Sequence, residues 1–242
     1  MKSASVVNDL YDYEGLKIYQ YEDKFKFSLD SILLAEFVEL KSNTRVIVDF
    51  CTGNAPVPLI LTTKTNARLY GFEIQPNIAK LAKLSVRENN LDSQVNIINA
   101  NLTGALEYIL PESVDAVTCN PPYFKYDKSK SLINEDEEKA IARHEITMNL
   151  EELMTAAKYI LKNKAPLYLV HRCDRLEEIL DCLAKYGFKV KKLQFIYAGY
   201  KKEAIMVLIK ATKNGKMGSL KVMPPVDVLE HKSYKGIFEK GE

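Results

Sequence analysis

The sequence predicts an α/β protein, doubly wound around a mainly parallel sheet, with an antiparallel last strand and a short basic C-terminal tail. Three observations carry that expectation. From residue 45 onward, short apolar runs alternate with helical stretches, the pattern of strands buried on both faces beneath crossover helices. The first run, Val46-Ile47-Val48, leads into an acid and a loop of small residues, as at the ligand-binding edge of an open parallel sheet. A later run ends abruptly in Asn120-Pro121-Pro122-Tyr123, a rigid polar turn that halts a strand and presents acceptors.

The elements follow in order. Residues 1–44 hold Tyr13, Tyr19, Tyr21, Phe25 and Phe27 and then a helix over 29–40, read as an N-terminal flap and helix packed on the main domain. The main domain spans 45–211. Strand one covers 46–48, followed by a helix at 58–63 and strand two at 68–72. The helix at 77–89 places Ile78, Leu81, Ala82 and Val86 on one face. Strands three and four are expected at 95–99 and 114–118, a helix at 150–161, and strand five at 167–170. The helix at 175–186 stops at Gly187, where a left-handed cap suits glycine. Runs at 189–196 and 204–209, joined by a Gly-containing link, suit an antiparallel hairpin. Residues 212–242, with Gly215, Gly218, Pro224 and Pro225, read as a surface-hugging basic tail.

Composition narrows the class. At 242 residues, 47% hydrophobic and 27% charged, one sizeable core is available. No apolar run approaches the roughly 18 residues that span a bilayer, and the first ten residues lack the charged-then-apolar order of a signal peptide, so a cytoplasmic protein without membrane contact is expected. Cys51, Cys119, Cys173 and Cys182 form no Cys-x-x-Cys pair, which reads as four reduced thiols and no metal. A monomer is expected rather than an obligate oligomer. The net charge of +2 is neutral on partners, but from residue 183 to the end thirteen lysines face five acids, a bias that suits phosphate contacts or a plain solvated surface.

The loop after strand one reads Asp49-Phe50-Cys51-Thr52-Gly53-Asn54-Ala55-Pro56-Val57-Pro58. Small residues at 52, 53 and 55 allow close backbone approach. Ala55 and Pro58 stand where a dinucleotide loop needs its second and third glycines, which disfavours pyrophosphate. An acid on strand one with a single-glycine loop suits a ligand carrying an ammonium or sulfonium charge, which points to S-adenosylmethionine. Glu73, at the end of strand two beside Ile74, suits two ribose hydroxyls or, more plainly, the start of the next helix. Asn101, followed by Leu102, suits an adenine amino group. In the turn after strand four, the Asn120 carbonyl and the Pro121 carbonyl converge as acceptors able to hold both hydrogens of a planar amino group, and Tyr123 offers a face for a flat base.

Several blocks carry a resemblance over about residues 9–230. They are Gly15-Leu16-Lys17-Ile18, then Phe25-x-Phe27-Ser28-x-Asp30, Asn120-Pro-Pro-Tyr-Phe124, Leu167-Tyr-Leu-Val-His171-Arg172 and Leu220-Lys-Val-Met-Pro-Pro225. Together they resemble the bacterial adenine-N6 methyltransferases that modify the base beside the anticodon of a valine tRNA, within the Rossmann-like class I S-adenosylmethionine-dependent methyltransferases. The resemblance implies a tRNA-modifying enzyme that leaves S-adenosylhomocysteine as product. It implies catalytic residues Asn120, Pro121, Pro122 and Tyr123, and a cofactor site of Phe27, Asp30, Asp49, Cys51, Gly53, Asn54, Glu73, Ile74, Asn101, Leu102 and Asn120. Tyr123, Phe124, Lys125, Arg143 and Arg172 are the expected tRNA contacts. Ala55 replaces a second glycine of that family and fits if its φ is negative; Asn101 replaces an aspartate and keeps an acceptor. His144 and His171 read as structural, and Cys51 and Cys119 as small thiols rather than nucleophiles. Other readings are a glutamine-amide methyltransferase acting on release factors, a DNA adenine methyltransferase, and an RNA-binding module without cofactor.

Overall fold

The computed structural model describes residues 5–10, 13, 15–21, 29–122, 150–199 and 202–231. An antiparallel hairpin, β1 (Ser5–Asp9) and β2 (Lys17–Tyr21), precedes helix α1 (Leu29–Phe37). Strands and helices then alternate as β3 (Val46–Phe50), α2 (Pro56–Thr62), β4 (Arg68–Phe72), α3 (Pro76–Glu88) and β5 (Val95–Ile98). A 3-10 turn (Leu102–Gly104) runs into the short α4 (Ala105–Tyr108), followed by β6 (Ala116–Cys119). Later come α5 (Leu150–Ile160), β7 (Pro166–Arg172), a 3-10 turn (Cys173–Arg175) and α6 (Leu176–Lys185). The antiparallel pair β8 (Phe188–Tyr197) and β9 (Ala204–Lys213) follows, then β10 (Lys221–Val222) and β11 (Val226–Asp227).

Among the described residues, nine strands share one sheet in the order β10-β8-β9-β7-β6-β3-β4-β5, with β11 also on β8. The strands from β5 across to β7 are parallel, and β9 runs antiparallel between β7 and β8. The chain winds outward from β3 to β5 and returns to β6 on the other side of β3. The carboxyl ends of β3 and β6 are therefore the switch point where such sheets bind ligands.

Successive side chains along each strand feed two separate cores. Ile47, Leu69, Ala116 and Tyr168 pack with α1, α2 and α3; Val48, Phe72, Val117 and Leu169 pack with α4, α5 and α6. This burial, about 1.5–3 kcal/mol for each large apolar side chain, is what makes α2 helical. Its sequence, PVPLILT, is a poor helix former, yet six of its seven residues are buried.

Three boundaries differ from the sequence expectation for identifiable reasons. The fourth strand begins at Ala116, not 114, and Val114 pairs instead with Leu161. Between them, the Asp115 carboxylate accepts the backbone N–H groups of Arg45 and Val46 at 2.8 and 3.0 Å, so a side chain caps the start of β3. Helix α1 ends at Phe37, where the Lys64 ammonium satisfies the carbonyls of Ala35 and Glu36 at 2.7 and 3.2 Å. The tail does more than hug the surface: β9 continues to Lys213, and β10 and β11 extend the sheet along β8.

The N-terminal hairpin is fastened to α3. Asn89 imitates a strand partner, accepting the Lys17 N–H at 2.8 Å and donating to the Lys17 carbonyl at 2.7 Å. The Ser85 hydroxyl accepts the Tyr19 N–H at 2.9 Å.

Candidate active site

Register builds the floor of the site. Asp49 is paired in the ladder with Gly71 on β4 and with Thr118 on β6, and the pleat turns all three toward the α1–α3 face. The Thr118 hydroxyl donates to Asp49 Oδ1 at 2.5 Å. Gly71 leaves space that the Thr52 side chain fills; a Cβ on Gly71 would lie 2.8 Å from Thr52 Oγ1. Thr52 thereby reaches back and donates to Asp49 Oδ2 at 2.6 Å. Asp49, Thr52, Gly71 and Thr118 form one interlocked unit, of which sequence reasoning gave a ligand role to Asp49 and noted Thr52 only for its size. Asp49 is fully buried, and that burial pushes its carboxyl up to about 7 despite the two hydroxyl donors. It sits beneath the loop, shaping it and setting its charge, rather than lining an open surface.

The loop above is left-handed at three of five residues: Cys51 (φ 56), Gly53 (φ 58) and Ala55 (φ 74). The condition set for Ala55, a negative φ, is therefore not met. Left-handed backbone costs an L-residue about 1–2 kcal/mol, but here the buried methyl returns ~0.8 kcal/mol and alanine gives up less chain entropy than glycine by roughly 0.5–1 kcal/mol. Those terms nearly cancel, which explains why alanine is tolerated. The loop is pinned by the Thr52 N–H donating to the Phe72 carbonyl and by the Ala55 N–H donating to the Thr52 carbonyl, both at 2.9 Å. Asn54, an expected cofactor residue, donates through Nδ2 to the Tyr19 carbonyl at 2.9 Å, tying the loop to β2.

Glu73 follows β4 directly. Oε2 accepts the Gly53 N–H at 3.0 Å and Oε1 accepts the Gln75 N–H at 2.9 Å, so it braces the loop and the start of α3 together. A carboxylate has about four acceptor positions, so further donors fit at both oxygens. Burial pushes its carboxyl up as well. Beside it, Ile74 is an exposed aliphatic surface. Asn99, absent from the sequence expectation, fixes this segment by donating through Nδ2 to the carbonyls of Glu73 and Ile74 at 2.8 and 3.0 Å. Asn101 is exposed and its Oδ1 accepts the Thr103 N–H at 3.3 Å, while the Leu102 side chain is buried in the α4–α6 core.

Asn120 follows β6 directly, and the pleat turns it to the same face as Asp49 and Thr118. There its Nδ2 donates to the Ser31 hydroxyl of α1 at 2.9 Å. Pro121 is buried behind it and Pro122 half-buried. Asp30 lies in the first turn of α1. Arg172 closes β7, where Nε and Nη2 grip both oxygens of Asp174 at 3.1 and 2.5 Å. The neighbouring His171 is buried, which pushes its imidazole down to about 4, and its Nδ1 accepts the Arg172 N–H at 2.8 Å; it is a neutral structural group. Burial pushes the Cys119 thiol upward, unlike that of a nucleophile. The expected residues Phe27, Tyr123, Phe124, Lys125 and Arg143, and His144, lie outside the described residues.

The structure thus gathers Asp49, Cys51, Gly53, Asn54, Glu73 and Asn120 at one edge of the sheet, with Asn101 and Arg172 at its two flanks. The donor set suits a cationic, hydroxyl-bearing ligand better than a phosphate: two buried acids face the loop, and Pro56 and Pro58 remove backbone donors from α2. Among the described residues, no cluster of His, Cys, Asp or Glu is arranged to hold a metal, and no helix is long and apolar enough to cross a membrane.

The sheet order, the antiparallel β9 and this strand-end loop give the chain the Rossmann-like fold that methyltransferases use. A predicted O-methyltransferase structure from Agrobacterium tumefaciens superposes with a TM-score of 0.65 at 19% identity, covering 83% of this chain and 88% of that one. The chain belongs to the methyltransferase small domain family, whose model matches residues 26–183. Among curated relatives, a tRNA1(Val) (adenine(37)-N6)-methyltransferase from Cytophaga hutchinsonii is 22% identical over 78% of both chains. Its counterpart from Porphyromonas gingivalis is 27% identical over 76% of this chain and 73% of that protein.

Proposed function

We propose that the protein transfers a methyl group from S-adenosylmethionine to N6 of adenine 37, beside the anticodon of a valine tRNA. One observation carries the reading: Asn120-Pro121-Pro122 stands directly beyond β6, its amide fixed on α1, next to the loop braced by Glu73. The activity for which the relatives above are named supports the choice of amine. Bound S-adenosylmethionine supplies a methyl group on a positively charged sulfur. Glu73 accepts ribose hydroxyls, Ile74 and the Leu102 backbone border the cofactor base, and Asp49 offsets the positive charge from below. Phe27, Asp30, Cys51, Gly53, Asn54 and Asn101 complete that side.

Asn120 Oδ1 and the Pro121 carbonyl accept the two N6 hydrogens, which turns the nitrogen lone pair toward the methyl group. Tyr123 and Phe124 stack on the flipped base; Pro122 stiffens the turn; Lys125, Arg143 and Arg172 meet the tRNA backbone. Transfer would make the N6–carbon bond as the sulfur–methyl bond breaks, its electron pair staying on sulfur to leave S-adenosylhomocysteine, and one N6 proton is released to solvent. No strong base is required, because alignment supplies most of the acceleration, on the order of 7 kcal/mol or more.

Incubation with labelled S-adenosylmethionine and unmodified total tRNA, followed by digestion to nucleosides, should yield labelled N6-methyladenosine. Label in a release-factor glutamine instead would favour protein methylation. Asn120→Ala should lower turnover by about 10²-fold or more with cofactor binding retained, the scale of removing one preorganised hydrogen-bonding group. Glu73→Ala should weaken cofactor binding by roughly 10–100-fold, the loss expected for hydrogen bonds to a charged acceptor. Equal losses of both properties in both variants would overturn this division of roles.

A further inference from the structure

Asn120 and Ser31 lie 89 residues apart and meet because β6 and α1 share one face of the sheet. Ser31 is itself buried at 6% exposure, and the four residues after it, Ile32 to Ala35, are at most 3% exposed. The hydroxyl is therefore carried on a fixed support, with α1 held at its far end by Lys64. The amide it meets has two unlike branches. With Nδ2 toward the target, donors would face the donors of an amino group; with Oδ1 toward it, acceptor meets donor. The orientation of one planar group thus separates a working clamp from a repelling one.

We infer that Ser31 is a positioning residue for this clamp: its hydroxyl accepts from Asn120 Nδ2 and so turns Oδ1 toward the amino group that is methylated. The inference rests on the clamp reading of Asn120 given above. Ser31 touches neither cofactor nor substrate in this role and acts only through the amide. A serine merely filling a buried niche would affect stability; a positioning serine affects turnover. Misplacement of a reacting group by about 1 Å is enough to cost on the order of 10²-fold in rate.

The test compares Ser31→Ala, Ser31→Thr and Asn120→Ala by single-turnover methylation of unmodified total tRNA, with cofactor affinity by calorimetry and thermal midpoints alongside. Ser31→Ala should lose about tenfold in rate while cofactor affinity and midpoint stay near the parent values, and Ser31→Thr, which keeps the hydroxyl, should recover most of the rate. If Asn120→Ala is inactive while Ser31→Ala turns over normally, the amide matters and Ser31 is not its anchor. If Asn120→Ala itself turns over normally, the clamp fails and its anchor with it. Loss of rate in both serine variants with midpoint and affinity unchanged would also overturn the inference, since the hydroxyl would then not be the determinant.

Discussion

Asp49 and Glu39 are both carboxylates on elements that touch the same sheet, yet their surroundings are opposite. Asp49 is buried between two hydroxyls at the carboxyl edge of β3, and burial pushes it up to about 7. Glu39, just past α1, bridges Lys192 on β8 and Lys210 on β9, and those two ammonium groups hold it below the usual carboxylate range. An acid gripped by lysines is already neutralised and ties the end of α1 to β8 and β9. A buried acid satisfied only by neutral donors retains the cost of its charge, which an arriving cation would offset. The contrast separates binding edge from structural edge better than the raw count of charges. The lysine-rich C-terminal third suited phosphate contacts or a plain solvated surface, and several of its lysines have partners within the chain. Lys213 donates to the Leu161 carbonyl at 2.7 Å and pairs with Glu112 at 2.9 Å, and Lys191 donates to the carbonyls of Lys216 and Gly218.

The largest expected effect comes from removing the uncompensated charge. A rise from 3.8 to about 7 corresponds to ~4 kcal/mol. Because the folded-state value is the higher one, the folded protein binds the proton more tightly. That stabilisation is complete below about pH 4 and is lost as pH rises to about 7. Asp49→Asn should therefore flatten the fall in unfolding free energy between those limits, measured by urea titration at a series of pH values. Glu73, raised in the same direction by burial, leaves a residual slope. An unchanged profile would mean that Asp49 is not the titrating group.

Next in size is the packing that holds Asp49. Gly71→Ala places a methyl against Thr52 Oγ1 and Cγ2 and against Ile97 Cδ1, all within 3 Å, so these side chains must shift. Overpacking of this kind costs about 1–3 kcal/mol, and displacement of Thr52 also removes its hydrogen bond to Asp49. Cofactor affinity should fall along with the thermal midpoint. A midpoint drop with unchanged affinity would show that the Thr52–Asp49 contact does not shape the loop.

The sheet was legible in the sequence because its signal is local: short apolar runs between helical periods need no knowledge of partners. The ends of the strands were legible for the same reason, since Asp49, Glu73 and Asn120 each stand at a visible break in an apolar run. What could not be read depends on register. Thr52, Gly71 and Thr118 become one unit only when β3 is flanked by β4 and β6 in the observed alignment. Ser31 becomes relevant only when α1 lands beside Asn120. The left-handed φ of Ala55 was hidden because alanine gives no sequence sign of unusual backbone, where glycine would have. The ion pairs of Lys192 and Lys210 were hidden for a related reason: their acid, Glu39, lies 153 and 171 residues away in the chain.

The smallest effect probes the structural edge itself. Glu39 is half-exposed, so its bridge to Lys192 and Lys210 is worth at most about 1 kcal/mol and less at high salt. Lys210 also sits over the Tyr168 ring, 5.5 Å from its centroid, and the Tyr168 hydroxyl donates to the Glu39 carbonyl at 2.7 Å, contacts that survive loss of the carboxylate. Glu39→Gln should lower the thermal midpoint slightly and leave tRNA affinity unchanged across a salt titration. If these lysines instead face tRNA, releasing them from Glu39 will tighten binding and steepen its salt dependence, because each freed ammonium displaces a further counterion from the phosphate backbone. That outcome would move the boundary between the two regions and make the β8–β9 edge part of the RNA surface.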